Sequence, residues 1–265
     1  MPELTGSVGQ GGANRSEDVQ RVQQRLAVHG FDTGSTNGVC DARTILEIRA
    51  FQHSFTDSPD GRVDPGGATW RRLSADPGAV AAAAALAKLE AKPAAGSFNV
   101  GLTAVSNSTM LSLFGNPRAD YTQDCQNVTN AVLSRNIATE KVGPFNARGL
   151  KPALASLRAV FADVLTEQPA VHAALGTAGM LCARLQRDPN PTRAISNHSW
   201  GTAIDLTING VLDTRGDNRV QHGLTLIAPI FNRHGWVWGA LFPVEDSMHF
   251  EVGLELARQI KTKLT

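Results

Sequence analysis

Seven histidines occur in the chain, and two of them are set apart by the carboxylates around them. In His198-Ser199-Trp200-Gly201-Thr202-Ala203-Ile204-Asp205 an imidazole lies in a loop ahead of a carboxylate. Ala203 to Ile208 alternate with period two, so Ile204, Leu206 and Ile208 share one face of a strand and Asp205 takes the other. A carboxylate there is at least partly buried and needs a partner, either a cation or a hydrogen-bonding turn. Met248-His249-Phe250-Glu251-Val252 alternates in the same way, with His249 and Glu251 opposite Met248 and Phe250. Two histidines and one carboxylate form a catalytic zinc shell with a fourth position for water, whose pKa falls to about 7 on the metal. The same chemistry needs a second carboxylate that relays protons without ligating the ion. Asp246 stands close before His249 and fits; its neighbour Glu245 is the rival. No His-Glu-x-x-His helix is present, which excludes a thermolysin-type site.

These residues must be carried by a mixed α+β segment. Leu150–Leu165 and Val171–Leu185 read as helices, with Pro152 and Pro169 near their starts. Asn209-Gly210 reads as a hairpin turn and Leu224–His234 as a helix ended by Gly235. The N-terminal part has a different character. Ser16-Glu17-Asp18 followed by Val19, Val22 and Leu26 predicts a helix ending near His29-Gly30, and Ile45, Ile48, Phe51 and Gln52 predict a second. Thr69, Trp70 and Leu73 mark a short third helix. Such a three-helix bundle carries no group of residues for catalysis and reads as a binding or spacing module. Between the two parts, residues 76–98 are rich in Ala, Pro and Gly, a linker with a helical middle. The expected organisation is a helical domain over 1–75, the linker over 76–98 and an α+β domain with a small antiparallel sheet over 99–265.

Composition narrows the function. The 265 residues carry 25 Lys+Arg against 24 Asp+Glu, a formal net charge of +1, with no basic run, so nucleic acid is not the expected partner. No stretch approaches about 18 apolar residues, so no membrane-spanning helix is expected. The first residues lack the basic and apolar regions of a cleavable signal, which predicts synthesis in the cytoplasm. Cys40, Cys125 and Cys182 are far apart; three buried thiols are the expectation, with a Cys125–Cys182 bridge as the alternative.

Two resemblances sharpen this reading. Asp18-Val19-Gln20-Arg21-Val22-Gln23-Gln24-Arg25-Leu26, Gly30-Phe31, Asn37-Gly38-Val39, Phe51-Gln52, Asp60-Gly61-Arg62-Val63 and Thr69-Trp70-Arg71-Arg72-Leu73 resemble the peptidoglycan-binding domain found beside many cell-wall hydrolases. The family usually has Asp-Gly where this chain has Asn37-Gly38. Ser196-Asn197-His198-Ser199-Trp200-Gly201-Thr202-Ala203-Ile204-Asp205 is similar to the Ser-x-His-x-x-Gly-x-Ala-x-Asp signature of zinc D-alanyl-D-alanine carboxypeptidases and L-alanyl-D-glutamate peptidases. Asp246-Ser247-Met248-His249 resembles that family's acidic-x-x-His element, and Trp236-Val237-Trp238-Gly239 fits its cell-wall branch.

The resemblance implies His198, Asp205 and His249 as ligands of Zn2+ and Asp246 as general base. Asp at the base position is typical of the endopeptidase branch. It also implies an upstream arginine that stabilises the oxyanion; Arg184 is the choice, with Arg187 and Arg193 competing. Ser196 is a candidate to orient a ligand, Trp200 to line the cleft, and Glu251 to hydrogen-bond within the site or form a structural ion pair. Trp236 and Trp238 read as core, and the Asn197-His198-Ser199 sequon as accidental. The function implied is zinc-dependent hydrolysis of L-Ala–D-Glu or D-Ala–D-Ala bonds in the stem peptides of peptidoglycan. The enzyme would be a monomer acting in the periplasm or cell wall after release or injection, as a lysin or an antibacterial effector with a secretion apparatus and an immunity protein as further partners. A non-catalytic, zinc-stabilised wall-binding scaffold is the alternative.

Overall fold

The computed structural model describes residues 3–187 and 194–264. The chain divides into two compact units, 1–81 and 82–265. The fold is α+β.

In the first unit three helices, Ser16–Val28, Ala42–Gln52 and Ala68–Ser74, enclose a core of Val19, Val22, Leu26, Ile48, Phe51, Trp70 and Leu73. A ladder of Val8–Gly9 with Arg62–Val63 closes it. Asp41 caps the second helix by accepting the Thr44 amide. The first helix has Arg15 at its N-cap position and no side-chain cap. Two buried glutamines pin the turns. Gln23 accepts the Gly38 amide and donates to Val39 O and Thr44 Oγ1. Gln52 accepts the Gly61 amide and donates to Asp60 Oδ1, Arg62 O and Thr69 Oγ1. Each buried amide is thereby satisfied on both sides, which fixes the turns as the sequence motif requires.

Of residues 76–98, Pro77–Leu86 are helical and Leu89–Ala91 pair antiparallel with Arg219–Gln221. The latter strand is part of the second unit. That unit is built on an antiparallel sheet in the order Trp236–Trp238, His249–Val252, Ala203–Ile208, Leu175–Gly179, with Val211–Leu212 paired to the end of Ala203–Ile208 across the Asn209-Gly210 turn. Asn209 and Gly210 both have positive φ, 53° and 76°, as a tight hairpin turn demands. Ile204, Leu206, Ile208, Phe250, Val252, Trp236 and Trp238 are buried in one cluster with the helices Lys151–Glu167 and His222–Arg233. Phe231 lies 4.1 Å, ring to ring, from Phe250 and 5.7 Å from Phe161. The opposite face of the same strands is left for polar residues.

Two expectations are corrected here. Val171–Leu185 is not one helix: Pro169–Ala174 is helical, and Leu175–Gly179 turns into a strand paired with Ala203–Ile208. Gly176 fits flat against Thr207, where a Cβ would lie 2.5 Å from its Oγ1, and Gly179 sits at φ +134°. Edge pairing therefore overrides the helical pattern of the alanines. Cys125 and Cys182 are joined in a disulfide, while Cys40 is free. The bridge is reinforced by a backbone bond from Gln126 N–H to Ala183 O.

Candidate metal centre

The antiparallel pairing of the two alternating strands does the first part of the assembly. Asp205 and His249 are direct partners across it, as are Ile204 and Phe250. Burying Ile204 and Phe250 therefore places Asp205 and His249 side by side on the other face. His198 arrives on a single 3-10 turn, Asn197–Trp200, just before the Asp205 strand. The reversal is made at Gly201, φ +64°, where a Cβ would stand 2.9 Å from Gly149 Cα. Only glycine fits that conformation against another backbone.

Three atoms converge. His198 Nε2 is 3.1 Å from Asp205 Oδ1 and 3.2 Å from His249 Nδ1, and His249 Nδ1 is 3.0 Å from Asp205 Oδ1. Hydrogen bonds on the far side of each ring decide what these atoms carry. His198 Nδ1 is 2.8 Å from Met180 O, which can only accept, so that nitrogen bears the proton and Nε2 a lone pair. His249 Nε2 donates to Glu251 Oε2 at 3.0 Å, which leaves Nδ1 with a lone pair. Glu251 is held in turn by Asn197 Nδ2 at 2.7 Å. With the rings neutral, three lone pairs would face one another, an arrangement that calls for a cation, either a metal ion or a proton on His249 Nδ1.

The spacing fits one. Ligand atoms about 2.0–2.1 Å from a tetrahedral ion are about 3.3 Å apart, close to the observed triangle. In the absence of an ion a proton is the substitute. Burial opposes a charged His249, but hydrogen bonds to Asp205 and Glu251 outweigh it and hold the ring well above its ordinary pKa. Burial would also raise the Asp205 carboxyl, yet the charge and hydrogen bonds of the His198 and His249 rings hold it well below the carboxylate range. His198, Asp205 and His249 are the one such group among the described residues.

The triad opens into a cleft of about 430 Å³ that also bears Asp246, Arg184 and Arg215. The turn carrying Asp246 is fixed by Asp246 N–H to Gly239 O and by His249 N–H to Asp246 O. Gly239 is needed there because a Cβ would meet Asp246 O at 2.5 Å. Burial pushes the Asp246 carboxyl up from its usual value and Asp205 adds to this, against the opposing charges of His249, Arg215 and His198. Glu245 points elsewhere: it is 1% exposed, and its oxygens accept the amides of Ser247 at 2.6 Å and Gly216 at 3.1 Å. Burial raises its carboxyl as well.

Arg184 is half-buried in the cleft, with Nη1 on Leu185 O at 3.0 Å. Burial, then the neighbouring Arg187 charge, lowers its guanidinium from the usual value, while Asp205 and Asp246 pull the other way. Arg187 also borders the cleft, and Arg193 lies outside the described residues. Ser196 lines the cleft and closes the His198 turn through its backbone, accepting the Ser199 amide and donating to Arg184 O. Trp200 does not line the cleft; it is fully buried with Nε1 on Gly115 O. Trp236 and Trp238 are core. Asn197 is buried on Glu251, so its sequon presents no side chain to solvent.

Sequence reasoning missed three contributors. Ser199 Oγ accepts the Arg184 amide and donates to Arg184 O, fastening the Arg184 segment to the His198 turn. The Cys182 amide donates to His198 O, so the disulfide stands directly behind that ligand. Arg215 Nε lies 3.3 Å from Asp246 Oδ2.

Residues 190–252 match the family model described as D-alanyl-D-alanine carboxypeptidase, and residues 15–73 match that of a peptidoglycan binding domain. The first span contains the whole triad and Asp246. No curated protein and no solved structure gives a significant match.

Proposed function

We propose that this chain, which joins a peptidoglycan-binding domain to a domain of the D-alanyl-D-alanine carboxypeptidase family, is a zinc-dependent hydrolase of the stem peptides of peptidoglycan. The observation that carries the zinc is the convergence of three lone pairs at 3.0–3.2 Å beside a cleft carboxylate that is not among them. His198, Asp205 and His249 would hold the ion, with Met180 O and Glu251 orienting the two rings. A zinc ion so held supplies Lewis acidity toward the scissile carbonyl and a water of pKa about 7.

The chain's own residues do the rest. Asp246 takes a proton from the attacking water and gives it to the leaving amine, a role suited by a carboxyl raised by burial. Arg184 faces the charge that develops on the carbonyl oxygen, and loss of such a donor typically costs about 10²–10³ in rate. The helical domain keeps the catalytic domain near its polymeric substrate by a tethered second contact. The Cys125–Cys182 disulfide supports action in an oxidising compartment, where the wall lies. None of the described helices is long and apolar enough to cross a membrane.

The bond is L-Ala–D-Glu or terminal D-Ala–D-Ala, and the role that of a lysin or an injected effector. The test is mass spectrometry of peptides released from purified sacculi by zinc-loaded protein, beside an Asp246→Ala variant and a chelated sample. New D-Glu amino termini identify the endopeptidase, and free D-Ala the carboxypeptidase. Identical release by all three samples refutes the hydrolase and leaves a wall-binding scaffold.

A further inference from the structure

Two buried carboxylates in the catalytic domain touch neither the triad nor the cleft, and both brace the same loop. Asp213 accepts Ser247 Oγ at 2.5 Å, the Gln221 amide at 2.8 Å and the Thr214 amide at 2.8 Å. Glu245 accepts the Gly216 amide at 3.1 Å through its side chain, and its backbone carbonyl accepts the same amide at 2.8 Å. Ser247 and Glu245 flank Asp246. The loop 213–217 is thus riveted to the chain on either side of Asp246, and burying two acids for this costs free energy that only full hydrogen bonding offsets.

What the bracing places is Arg215. Its Nη1 donates to Arg187 O at 2.5 Å, and this hydrogen bond sets its Nε 3.3 Å from Asp246 Oδ2 as an ion pair. Gly216, φ +82°, makes the turn that aims it. Among the described residues the ion pair from Arg215 to Oδ2 is the one side-chain pairing of Asp246, and without it the carboxylate would rotate about its last torsion.

We propose that Arg215 is a positioning residue for Asp246: it holds one carboxylate oxygen so that the other is presented to the cleft. The inference rests on the hydrolase reading for its kinetic consequence, and on geometry alone for its structural one. A displacement of about 1 Å in a reacting group can cost about 10² in rate.

The test uses the full-length protein with Arg215 changed to Met or Lys. Arg215→Met is expected to lower kcat on sacculi by about 10–100-fold with KM within about threefold, zinc stoichiometry unchanged and Tm within about 2 °C. Arg215→Lys is expected to restore part of kcat. Adding Arg215→Met to Asp246→Ala is expected to cost nothing further, because the group being positioned is gone. A full additional loss in the double variant, or kcat unchanged in the single one, overturns the proposal. A high-resolution crystal structure of Arg215→Met gives a readout independent of activity. Rotated or multiple Asp246 conformers support the assignment, and an Asp246 carboxylate unmoved within about 0.5 Å overturns it. Wild-type protein inactive on sacculi refutes the hydrolase reading, and the crystallographic arm then decides the positioning role by itself.

Discussion

Glu251 offers the sharpest quantitative test of how the triad is held. It is buried, and it accepts from His249 Nε2 at 3.0 Å and from Asn197 Nδ2 at 2.7 Å. The bond to His249 fixes the tautomer that leaves Nδ1 free to ligate. A hydrogen bond to a charged group contributes about 1.5–3 kcal/mol, equivalent to about 10–100-fold in affinity; outer partners of ligating histidines span the same range. Glu251→Gln keeps an acceptor but loses the charge, and zinc affinity is expected to fall about 10-fold. Glu251→Leu strands the Nε2 proton and frees the ring to adopt the other tautomer, and about 100-fold is expected. The assay is competition with a chromophoric chelator across about pH 7–9, with circular dichroism to verify folding. The pH series matters because losing Glu251 also makes His249 less basic, which eases proton competition at the low end. Affinities within about twofold of wild type for both folded variants, at the alkaline end, would show that Glu251 does not support the metal site.

Three further predictions concern other groups. In metal-free protein His249 is held protonated well above its ordinary value, so its stabilising contribution is complete below about pH 6.5 and is lost as pH rises through the folded value. Calorimetric zinc titration in buffers of different ionisation heat should show release of close to one proton near neutrality, declining at alkaline pH; no release at neutrality contradicts the assignment. Reducing Cys125–Cys182 opens a loop with a sequence separation of 57, for which the chain-entropy relation gives about 4 kcal/mol. The Tm of the catalytic domain should fall on reduction, and zinc affinity with it, since the Cys182 amide supports His198 O. In the helical domain, burial raises the Asp18 carboxyl but bonds from Thr5 and Gly6 outweigh it and keep it below the usual value. That contribution is present above about pH 3.9 and disappears as pH falls through the folded value. Asp18→Asn should therefore lower the domain's Tm at pH 7 by more than at pH 3, and equal losses at both would contradict it.

Part of the triad was legible because its strands alternate: burying Ile204 and Phe250 leaves Asp205 and His249 nowhere else to point, whereas His198 lies on no strand and followed from the resemblance of its motif. What made it a triad was register, the direct pairing of Asp205 with His249, and pairing is set by the whole sheet and not by either strand alone. The partner of His198 Nδ1 was invisible, since Met180 contributes a backbone carbonyl that any residue would offer. Arg215 lies in a turn with no motif and reaches Asp246 only through the bracing of Asp213 and Glu245. Glu245, a credible rival for the base by position, is spent on backbone amides. The Leu175–Gly179 strand was hidden by the helical alanines ahead of it, and the disulfide by cysteines whose proximity only the fold creates.

The proposed function requires one zinc on His198, Asp205 and His249 for hydrolysis of the wall. The direct measurement is titration of metal-free protein with zinc while release of peptide termini from sacculi is followed. Activity is expected to rise in proportion to bound zinc and to saturate at about one ion per chain, with His198→Ala and His249→Ala silent throughout. Hydrolysis independent of zinc, or full activity in either histidine variant, would contradict it.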